Sequence, residues 1–261
     1  MLGFQSSDLR MLRNFLRLMV RDRFLGSGLG LIWAIANPVL MLAIFTFVFG
    51  FVFQTKLPGT ETSLAYVIWL ISGYGPWLAI AEGLTTSTGS VVAHGNLVKN
   101  LNFKSELLPV AGALIGIIPF IVTLVYLVIL LAFDGRMPTW SWLTMIPVAA
   151  LLFAFVIGIG LILSAINVFV RDVILVLPNI LLIVMFASPI FYSISSFPNV
   201  IRPFMVANPI YLLAEGFRLP LLENKVLQAA PLAYLTVVCA GSLFVGLFVF
   251  RRFKPYFDSR L

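Results

Sequence analysis

The stretch 107–133, LLPVAGALIGIIPFIVTLVYLVILLAF, decides the fold, because it runs for 27 residues without a single charge. About 20 apolar residues are enough to cross the hydrocarbon core of a bilayer as an α-helix. A transmembrane strand would need only about 10 residues with alternating polarity, and this stretch shows no such alternation. We therefore predict a membrane-spanning helix here.

The rest of the chain has the same character. Its 261 residues are 61% hydrophobic and only 10% charged, with a mean hydropathy of +1.07. Soluble domains carry about a quarter charged residues, so this composition excludes an ordinary soluble globule. Charged residues divide the chain into uncharged runs at 24–55, 62–81, 107–133, 137–170, 173–201 and 226–250.

These runs predict an all-α integral membrane protein that forms a single transmembrane domain over residues 1–261. Each run is long enough for one span. We place the six transmembrane helices at 31–53, 64–91, 107–133, 141–169, 173–193 and 230–250.

The basic residues are distributed unequally between the two sides of the predicted membrane domain. If both termini are cytoplasmic, that side holds twelve Lys and Arg residues and the other side holds five. An excess of Lys and Arg marks the cytoplasmic side, so we expect both termini there. The net charge of +7 is then mainly a topology signal. Charges continue up to Arg23, so no cleavable signal peptide is expected, and the lone Cys239 can form no intramolecular disulfide.

Residues 8–24 precede the first span and are strongly amphipathic. At 100° per residue, four arginines fall within an arc of about 80° on a helix: Arg10, Arg13, Arg17 and Arg21. The pattern predicts an interfacial helix whose basic stripe faces lipid phosphates or the cytoplasm. The alternative is a plain helical extension whose arginines serve only the positive-inside signal.

The connection at 94–104, between the second and third spans, is longer than a helical hairpin needs. Gly95-Asn96 is a plausible helix start. The connection mixes apolar residues that we expect to be exposed with basic ones, namely Leu97, Leu101, Phe103, Lys99 and Lys104. Such a surface suits docking onto a soluble partner. The alternative is a solvated turn, which is an equally good interpretation of Arg171-Asp172 between the fourth and fifth spans.

Four segments, taken together and in order, resemble the membrane subunits of type-2 ABC transporters. They are RDRFLGSGLGLIWAIANPVL (21–40), HGNLVKNLNF (94–103), ELLPV (106–110) and NPIYLLAEGFR (208–218). Within that group the chain looks closest to the permeases that export lipid-linked O-antigen, capsular polysaccharide or teichoic acid. The resemblance extends from about residue 9 to residue 258.

The resemblance implies a channel-forming half-transporter of the bacterial inner membrane. It would form a homodimer, bind two copies of a cytoplasmic ABC ATPase, contact membrane lipids, and move a lipid-linked polysaccharide. The chain contains no G-x-x-x-x-G-K-[ST] loop, so ATP and Mg are expected on the partner, with no cofactor or metal on this chain and no nucleic acid bound. The resemblance also implies the residues that couple to the ATPase: His94, Asn96, Leu97, Lys99, Leu101, Phe103, Arg171 and Asp172.

Residues 195–222 match the family's short re-entrant helices at the external mouth, between spans five and six. Non-spanning backbone at membrane depth is tolerated only where protein buries it or a wet cavity lies beside it. Asn208-Pro209 starts a short helix that we expect to end at Pro220. We expect Glu215 and Arg218 to pair at i and i+3 on an exposed face. The predicted external gate is Asn208, Pro209, Tyr211, Glu215 and Arg218, and the alternative is a structured external loop.

Aromatic residues are the natural contacts for a sugar chain, because the apolar faces of sugars stack on flat rings. The predicted substrate path consists of Trp33, Trp69, Tyr74, Trp77, Glu82, Phe191 and Tyr192. Tyr74 and Trp77, which lie beside small residues in the second span, are the strongest candidates. The alternatives are interfacial aromatic belts and, for Glu82, hydrogen bonding with the hydroxyls of neighbouring helices.

Two other functions compete with polysaccharide export. A drug or small-lipid exporter of the same superfamily would have a narrower cavity that lacks aromatic residues. An integral-membrane glycosyl- or acyltransferase would need acid–base residues gathered at a site. The chain has one histidine, His94, and few acids, so it offers no catalytic constellation and we expect a transport subunit rather than an enzyme.

Overall fold

The computed structural model describes residues 6–24, 28–56, 62–100, 103–257 and 260. All of the regular structure in these ranges is helical. The α-helices are α1 (Ser6–Phe24), α2 (Trp33–Phe45), α3 (Ser63–Ala93), α4 (Gly95–Asn100), α5 (Leu107–Leu114), α6 (Ile117–Phe133), α7 (Met145–Phe169), α8 (Val173–Ala187), α9 (Arg202–Val206), α10 (Pro209–Arg218) and α11 (Ala229–Phe253).

Within the described residues, five helical segments are long and apolar enough to cross a membrane. These segments run Gly30–Val52, Ser63–Ala93, Leu107–Phe133, Trp140–Phe169 and Ala229–Tyr256. Some of them join an α-helix to a short 3₁₀ or π turn, and Leu107–Phe133 joins α5 to α6 through a turn at Ile115-Gly116. The prediction of an all-α, multi-pass membrane protein is therefore confirmed.

The segment predicted as a fifth span over 173–193 is shorter than expected. Its helix, α8, ends at Ala187 after 15 residues, which is about 22 Å at 1.5 Å per residue, against a hydrocarbon core of about 30 Å. Ser188 has extended backbone angles, φ −100° and ψ 145°, because the α conformation is disfavoured for a residue that precedes a proline, here Pro189. The predicted helical extension to residue 193 was wrong.

Helix α3 is the centre of the bundle. It packs against α5, α6, α7, α8 and α10, and most of its length is buried. By contrast α2, α8 and the outer side of α11 present many apolar side chains outward, such as Leu40, Ile44, Ile183 and Phe244. Apolar residues around a helix in this arrangement are those expected to face acyl chains.

Glycines bring helices into backbone contact at several places. A Cβ built on Gly246 of α11 would lie 2.2 Å from the carbonyl oxygen of Gly158 in α7. A Cβ on Gly112 of α5 would lie 2.7 Å from the Cα of Ser87 in α3. Small residues permit such close approach between membrane helices, so these contacts fix the spacing of the bundle.

The two ends of the bundle differ. At what we call the terminal end, α1, α3, α5 and α11 meet in an apolar cluster that includes Phe15, Leu107, Phe250 and Phe257. At the distal end, the connections between spans pack on one another: the guanidinium of Arg136 donates to the Leu222 carbonyl at 2.6 Å.

The predicted gate region contains two short helices, α9 and α10. The Asn208 side chain caps α10 by accepting from the Ile210 amide at 2.9 Å, and Pro209 occupies the first turn, as expected. The expected end at Pro220 was wrong. The chain stays helical through a π-turn at Leu219–Glu223 and ends at Asn224, which has a left-handed φ of 54°.

Candidate functional site

A cleft of about 630 Å³ lies between the end of α1, the first half of α2, the second half of α3 and the α5–α6 junction. Its walls combine two kinds of residue. Apolar contacts come from residues such as Met19, Met41 and Leu78. Hydrogen-bonding groups come from Asp22, Arg23, Asn37, Glu82, Thr85, Thr86, Ser90 and His94. Trp33 lines a smaller adjoining cavity of about 70 Å³ that also contains Arg23 and Glu82.

Glu82 is the centre of the hydrogen bonding in this cleft. Both of its carboxylate oxygens accept from the guanidinium of Arg23, with Nη2 to Oε2 at 3.1 Å. The Thr86 hydroxyl donates to the same carboxylate at 3.0 Å. A two-point contact of this kind gives a charged pair a fixed geometry. The pair therefore joins the last turn of α1 to the middle of α3 across the cleft.

The Arg23–Glu82 pair is accessible enough to open. The side chains are 46% and 23% exposed, and exposed pairs contribute only about 0–1 kcal/mol. Sequence reasoning selected Glu82 but not Arg23, because 59 residues separate them and Arg23 looked like one more topology charge.

For the polysaccharide export that the sequence resemblance implies, single charge reversals at this pair, Arg23→Glu or Glu82→Arg, should reduce export about tenfold, because like charges then face each other in the cleft. The double reversal should restore export to within about twofold of wild type. Export is measured as surface polymer per cell at matched protein levels. The control is Glu223→Arg, since Glu223 is an exposed carboxylate paired with Lys225 at 2.9 Å. Unchanged export in both single reversals, or a double reversal that does not restore export, would contradict a role for the pair.

The strongest aromatic candidates do not line the cleft. Tyr74 and Trp77 are only 7% and 4% exposed and belong to the core of the chain. The Tyr74 ring packs against Phe45 and Phe191, with ring centroids 4.8 Å and 5.9 Å away. In this arrangement both are packing residues, and they would touch a substrate only after a rearrangement.

Three of the other predicted path residues, Trp69, Phe191 and Tyr192, lie around the non-helical chain that follows α8. The Phe191 carbonyl accepts from the Tyr66 hydroxyl at 2.7 Å, and the Tyr192 hydroxyl donates to the Phe186 carbonyl. Trp69 lies under the guanidinium of Arg218, 3.9 Å from the ring centroid. These residues connect the chain after α8 to α3.

Arg218 of α10 is almost completely buried, with 2% of its surface exposed. Its guanidinium donates to the carbonyls of Ile190 at 2.7 Å, Pro189 at 3.0 Å and Trp69 at 3.3 Å. The predicted pairing with Glu215 is confirmed at 3.2 Å. The expectation that this pair is exposed was wrong. Because helix α8 ends just before Pro189, the carbonyls that follow have no helical N–H donors. The guanidinium has five N–H donors, and it is buried where it can bond these carbonyls.

Two residues near Arg218, Gly73 of α3 and Tyr211 of the predicted gate, have defined surroundings. A Cβ on Gly73 would lie 2.3 Å from Nη2 of Arg218, so Gly73 of α3 leaves the space that the guanidinium fills. Tyr211 is half-buried on α10, and burial, together with the charge of Glu215, raises its pKa to about 12. Its hydroxyl is therefore neutral at physiological pH and able to donate a hydrogen bond.

The predicted coupling segment contains helix α4 and lies at the terminal end. Asn96 and Lys99 are exposed. Leu97 and Phe103 were expected to be exposed, but both are half-buried against the terminal cluster, and the Phe103 ring packs on Phe15 at 5.3 Å. The physical reason is that α1 covers this side of the segment. Leu101 lies outside the described residues.

The remaining coupling residues are close to the same end. His94 ends α3, and its Nδ1 lies 2.8 Å from the Ser90 carbonyl oxygen. Arg171 and Asp172 are exposed between α7 and α8. The nearby Phe169 packs on the Phe257 ring at 6.0 Å, which places this turn at the terminal end as well.

An ion-pair network that sequence reasoning missed surrounds the coupling segment. The buried Glu106 accepts from Arg251 at 3.1 Å and from Lys254 at 3.3 Å. Lys104 pairs with Asp8 of α1 at 2.6 Å. Burial alone would raise the pKa of Glu106, but backbone hydrogen bonding and its two cations hold that pKa below its usual value. We call these ion pairs the terminal network; it ties residues 104–106 to both α1 and α11.

The four arginines of the predicted basic stripe on α1 are all exposed: Arg10, Arg13, Arg17 and Arg21. On the opposite face Phe15 and Met19 are buried in the terminal cluster. The predicted amphipathic helix is confirmed, and α5 covers much of its apolar face.

Comparison with known proteins agrees with this architecture. The model of the ABC-2 type transporter family matches residues 11–222. An O-antigen export system permease protein, RfbA, from Klebsiella pneumoniae is 28% identical, over 93% of this chain and 91% of its own. RfbA of Myxococcus xanthus is 24% identical, over 93% and 92%. The polysialic acid transport protein KpsM of Escherichia coli is 24% identical, over 95% of each chain. The chain thus belongs to the ABC-2 type transporter family.

Proposed function

We propose that this chain is the channel-forming membrane subunit of an ATP-driven exporter that moves a lipid-linked cell-surface polysaccharide across the bacterial inner membrane. The observation that carries the proposal is the full-length match to relatives named for export of O-antigen and transport of polysialic acid, over more than nine-tenths of both chains. A match of this extent includes the spans, the coupling segment and the gate region together.

The chemistry of the cleft supports the same class of substrate. A lipid-linked polymer combines an apolar chain with many hydroxyl groups. The cleft offers apolar walls at Met41 and Leu78 beside hydrogen-bonding groups at Glu82 and Thr86. We infer that the substrate enters here, and that opening of the Arg23–Glu82 pair admits it.

The six-span topology with cytoplasmic termini is part of the proposal. Helix α8 is short, so we infer that the chain completes this crossing with the non-helical residues 188–193. An even number of crossings places both termini on the same side of the membrane. The excess of Lys and Arg at the terminal end then assigns that side to the cytoplasm.

Cysteine labelling tests this topology. In a Cys239→Ser background, cysteines at Lys56 and Lys225 should react with an impermeant thiol reagent applied to spheroplasts, because both positions are exposed at the distal end. Cysteines at Lys99 and Arg171 should react only after membrane disruption. The opposite labelling pattern would reverse the orientation, and labelling of Lys56 and Lys225 from different sides would contradict six crossings.

We further propose that two copies of the chain form the channel and that each binds one ATPase subunit. The coupling segment would dock on the ATPase through Asn96 and Lys99. The contacts of the coupling segment with the ATPase would differ between the two nucleotide states of the ATPase. The resulting movement of the segment would reach the spans through Phe103 and the terminal network.

The region 195–222 is proposed to close the channel on the distal side. A resting pore wide enough for a sugar chain would otherwise leak ions. The first part of this region, 195–207, has no buried residue, and its helix α9 (Arg202–Val206) has only five residues, whereas α10 is held in the core by Arg218. Elements of low local stability are those able to move, so we place the moving part of the gate at 195–207. The aromatic residues around Phe191 are proposed to meet the polymer when this region opens.

Deletion of the gene distinguishes the candidate functions. An exporter subunit should leave complete lipid-linked polymer trapped on the cytoplasmic side, where a glycan-degrading enzyme added to spheroplasts cannot reach it. Restoring the chain should return the polymer to the surface. A glycosyltransferase would instead leave no complete polymer, and a drug exporter would leave the surface polymer unchanged; either result would overturn the proposal.

A further inference from the structure

A second cavity, separate from the cleft, lies on the outer side of α11 near the terminal end. It has a volume of about 340 Å³, and its lining residues are Phe244, Leu247, Phe248, Arg251 and Arg252. We call it the α11 groove. Apart from Arg251, which pairs with Glu106, its lining residues take no part in the proposed transport mechanism.

The α11 groove faces away from the bundle. Helix α11 packs on α7 and buries Cys239, Gly246 and Phe250. On the other side Phe244 and Phe248 are 73% and 65% exposed. In a spanning helix such a face meets acyl chains, so the rings offer an apolar track along the lipid side of the protein.

The end of the groove is basic. Arg252 is exposed, and in the part of the chain that the structure describes we find no ion pair or hydrogen bond from its side chain. The Nε–H of Arg251 donates to the Glu106 carboxylate, and Lys254 donates to the same carboxylate. These three cations therefore stand against one carboxylate, and the local charge is +2 by this count. Among the described residues, no acidic side chain lines the groove itself.

We propose that the α11 groove binds an anionic phospholipid. Its acyl chain would lie along Phe244 and Phe248, with its phosphate at Arg252 and Arg251. Guanidinium groups bind phosphate through paired, charge-assisted hydrogen bonds, and basic residues at the membrane surface attract anionic lipids. A zwitterionic lipid has the same chains, but its own ammonium group offsets the charge. The groove should therefore discriminate by headgroup.

The position of the lipid has a structural consequence. Arg251 lies in the groove and also holds Glu106, which directly precedes α5 and follows the coupling segment. A bound anionic lipid would thus contact the terminal network directly, through Arg251.

Fluorescence quenching by brominated lipids tests this site. The full chain carries a bimane label at Val245→Cys in a Cys239→Ser background, because Val245 is exposed beside the groove without lining it. We expect brominated phosphatidylglycerol to reach half-maximal quenching at about fivefold lower mole fraction than phosphatidylcholine with the same brominated chains. Arg252→Gln should reduce this preference to about twofold or less, and Arg252→Lys should retain most of it.

The matched control is Arg171→Gln, which removes another exposed basic residue, outside the groove, and should leave the preference unchanged. Arg252 is exposed, so its variants should elute and melt like wild type. Equal quenching by the two lipids, or a preference that survives Arg252→Gln, would overturn the proposal. Protection of the label from both lipids, with cross-linking between two copies of the unlabelled Val245→Cys variant, would instead identify the groove as a contact between chains and would also overturn it.

Discussion

Replacing Arg218 by methionine should abolish export and lower the melting temperature of the purified protein by the largest amount of any single change considered. Methionine keeps the apolar stem of the side chain, but it removes every donor of the guanidinium. The carbonyls of Pro189 and Ile190 then lose their bonds, and Glu215 keeps a partly buried charge without its cation. Removing one partner of a buried ion pair typically costs about 3–5 kcal/mol.

Two further variants separate the position of this cation from its charge. Gly73→Ala leaves Arg218 intact but places a Cβ 2.3 Å from its Nη2, so it should mimic the loss in weaker form. Arg218→Lys keeps the charge, but a single ammonium cannot serve the three carbonyls and stack on Trp69, and partial loss is expected. Gly241→Ala is the control, because nothing lies within 4 Å of the added Cβ. A wild-type melting temperature and normal export in Arg218→Met would refute this account.

Replacing Glu106 by alanine should uncouple ATP hydrolysis from export. The change leaves Arg251 and Lys254 without their shared carboxylate at the terminal end, so residues 104–106 lose their connection to α11. We expect export to fall at least tenfold while hydrolysis by the complex continues. Hydrolysis and surface polymer are measured on the same preparations and cells.

Matched variants make this result specific. Glu223→Ala removes a carboxylate of a pair that is exposed at the distal end and should change neither quantity. Phe103→Asp should give the same uncoupled behaviour by breaking the ring contact with Phe15. If Glu106→Ala lowers hydrolysis and export in the same proportion, the network maintains assembly rather than coupling, and the proposed relay is wrong.

The spans could be predicted because a run such as 107–133 is uncharged and long enough to cross the hydrocarbon core as a helix. Local chain chemistry set the exceptions. At 173–193 a count of apolar residues ignores the effect of Pro189 on Ser188, which ends α8 early. At Pro220 the reverse holds, because a π-turn carries the helix past the proline.

The candidate site was harder to predict, because its interactions join distant residues. Glu106 and Arg251 are 145 residues apart, and no local pattern links them. Tyr74 and Trp77 illustrate a second difficulty. Around Tyr74 and Trp77, helix α3 has small or apolar residues on every side, so the sequence there has no polar face to mark which residues point into the bundle. Only the packing of the other helices around α3 decides that these rings are buried.

The most direct test of the proposed function uses inside-out membrane vesicles, whose cytoplasmic face points outward. Vesicles containing the chain, its ATPase partner and lipid-linked polymer are incubated with ATP and then treated with a glycan-degrading enzyme. We predict that ATP transfers polymer into the lumen, where it is protected, and that vesicles with Arg218→Met show no protection. Protection without ATP, or equal protection in vesicles that lack the chain, would contradict the account.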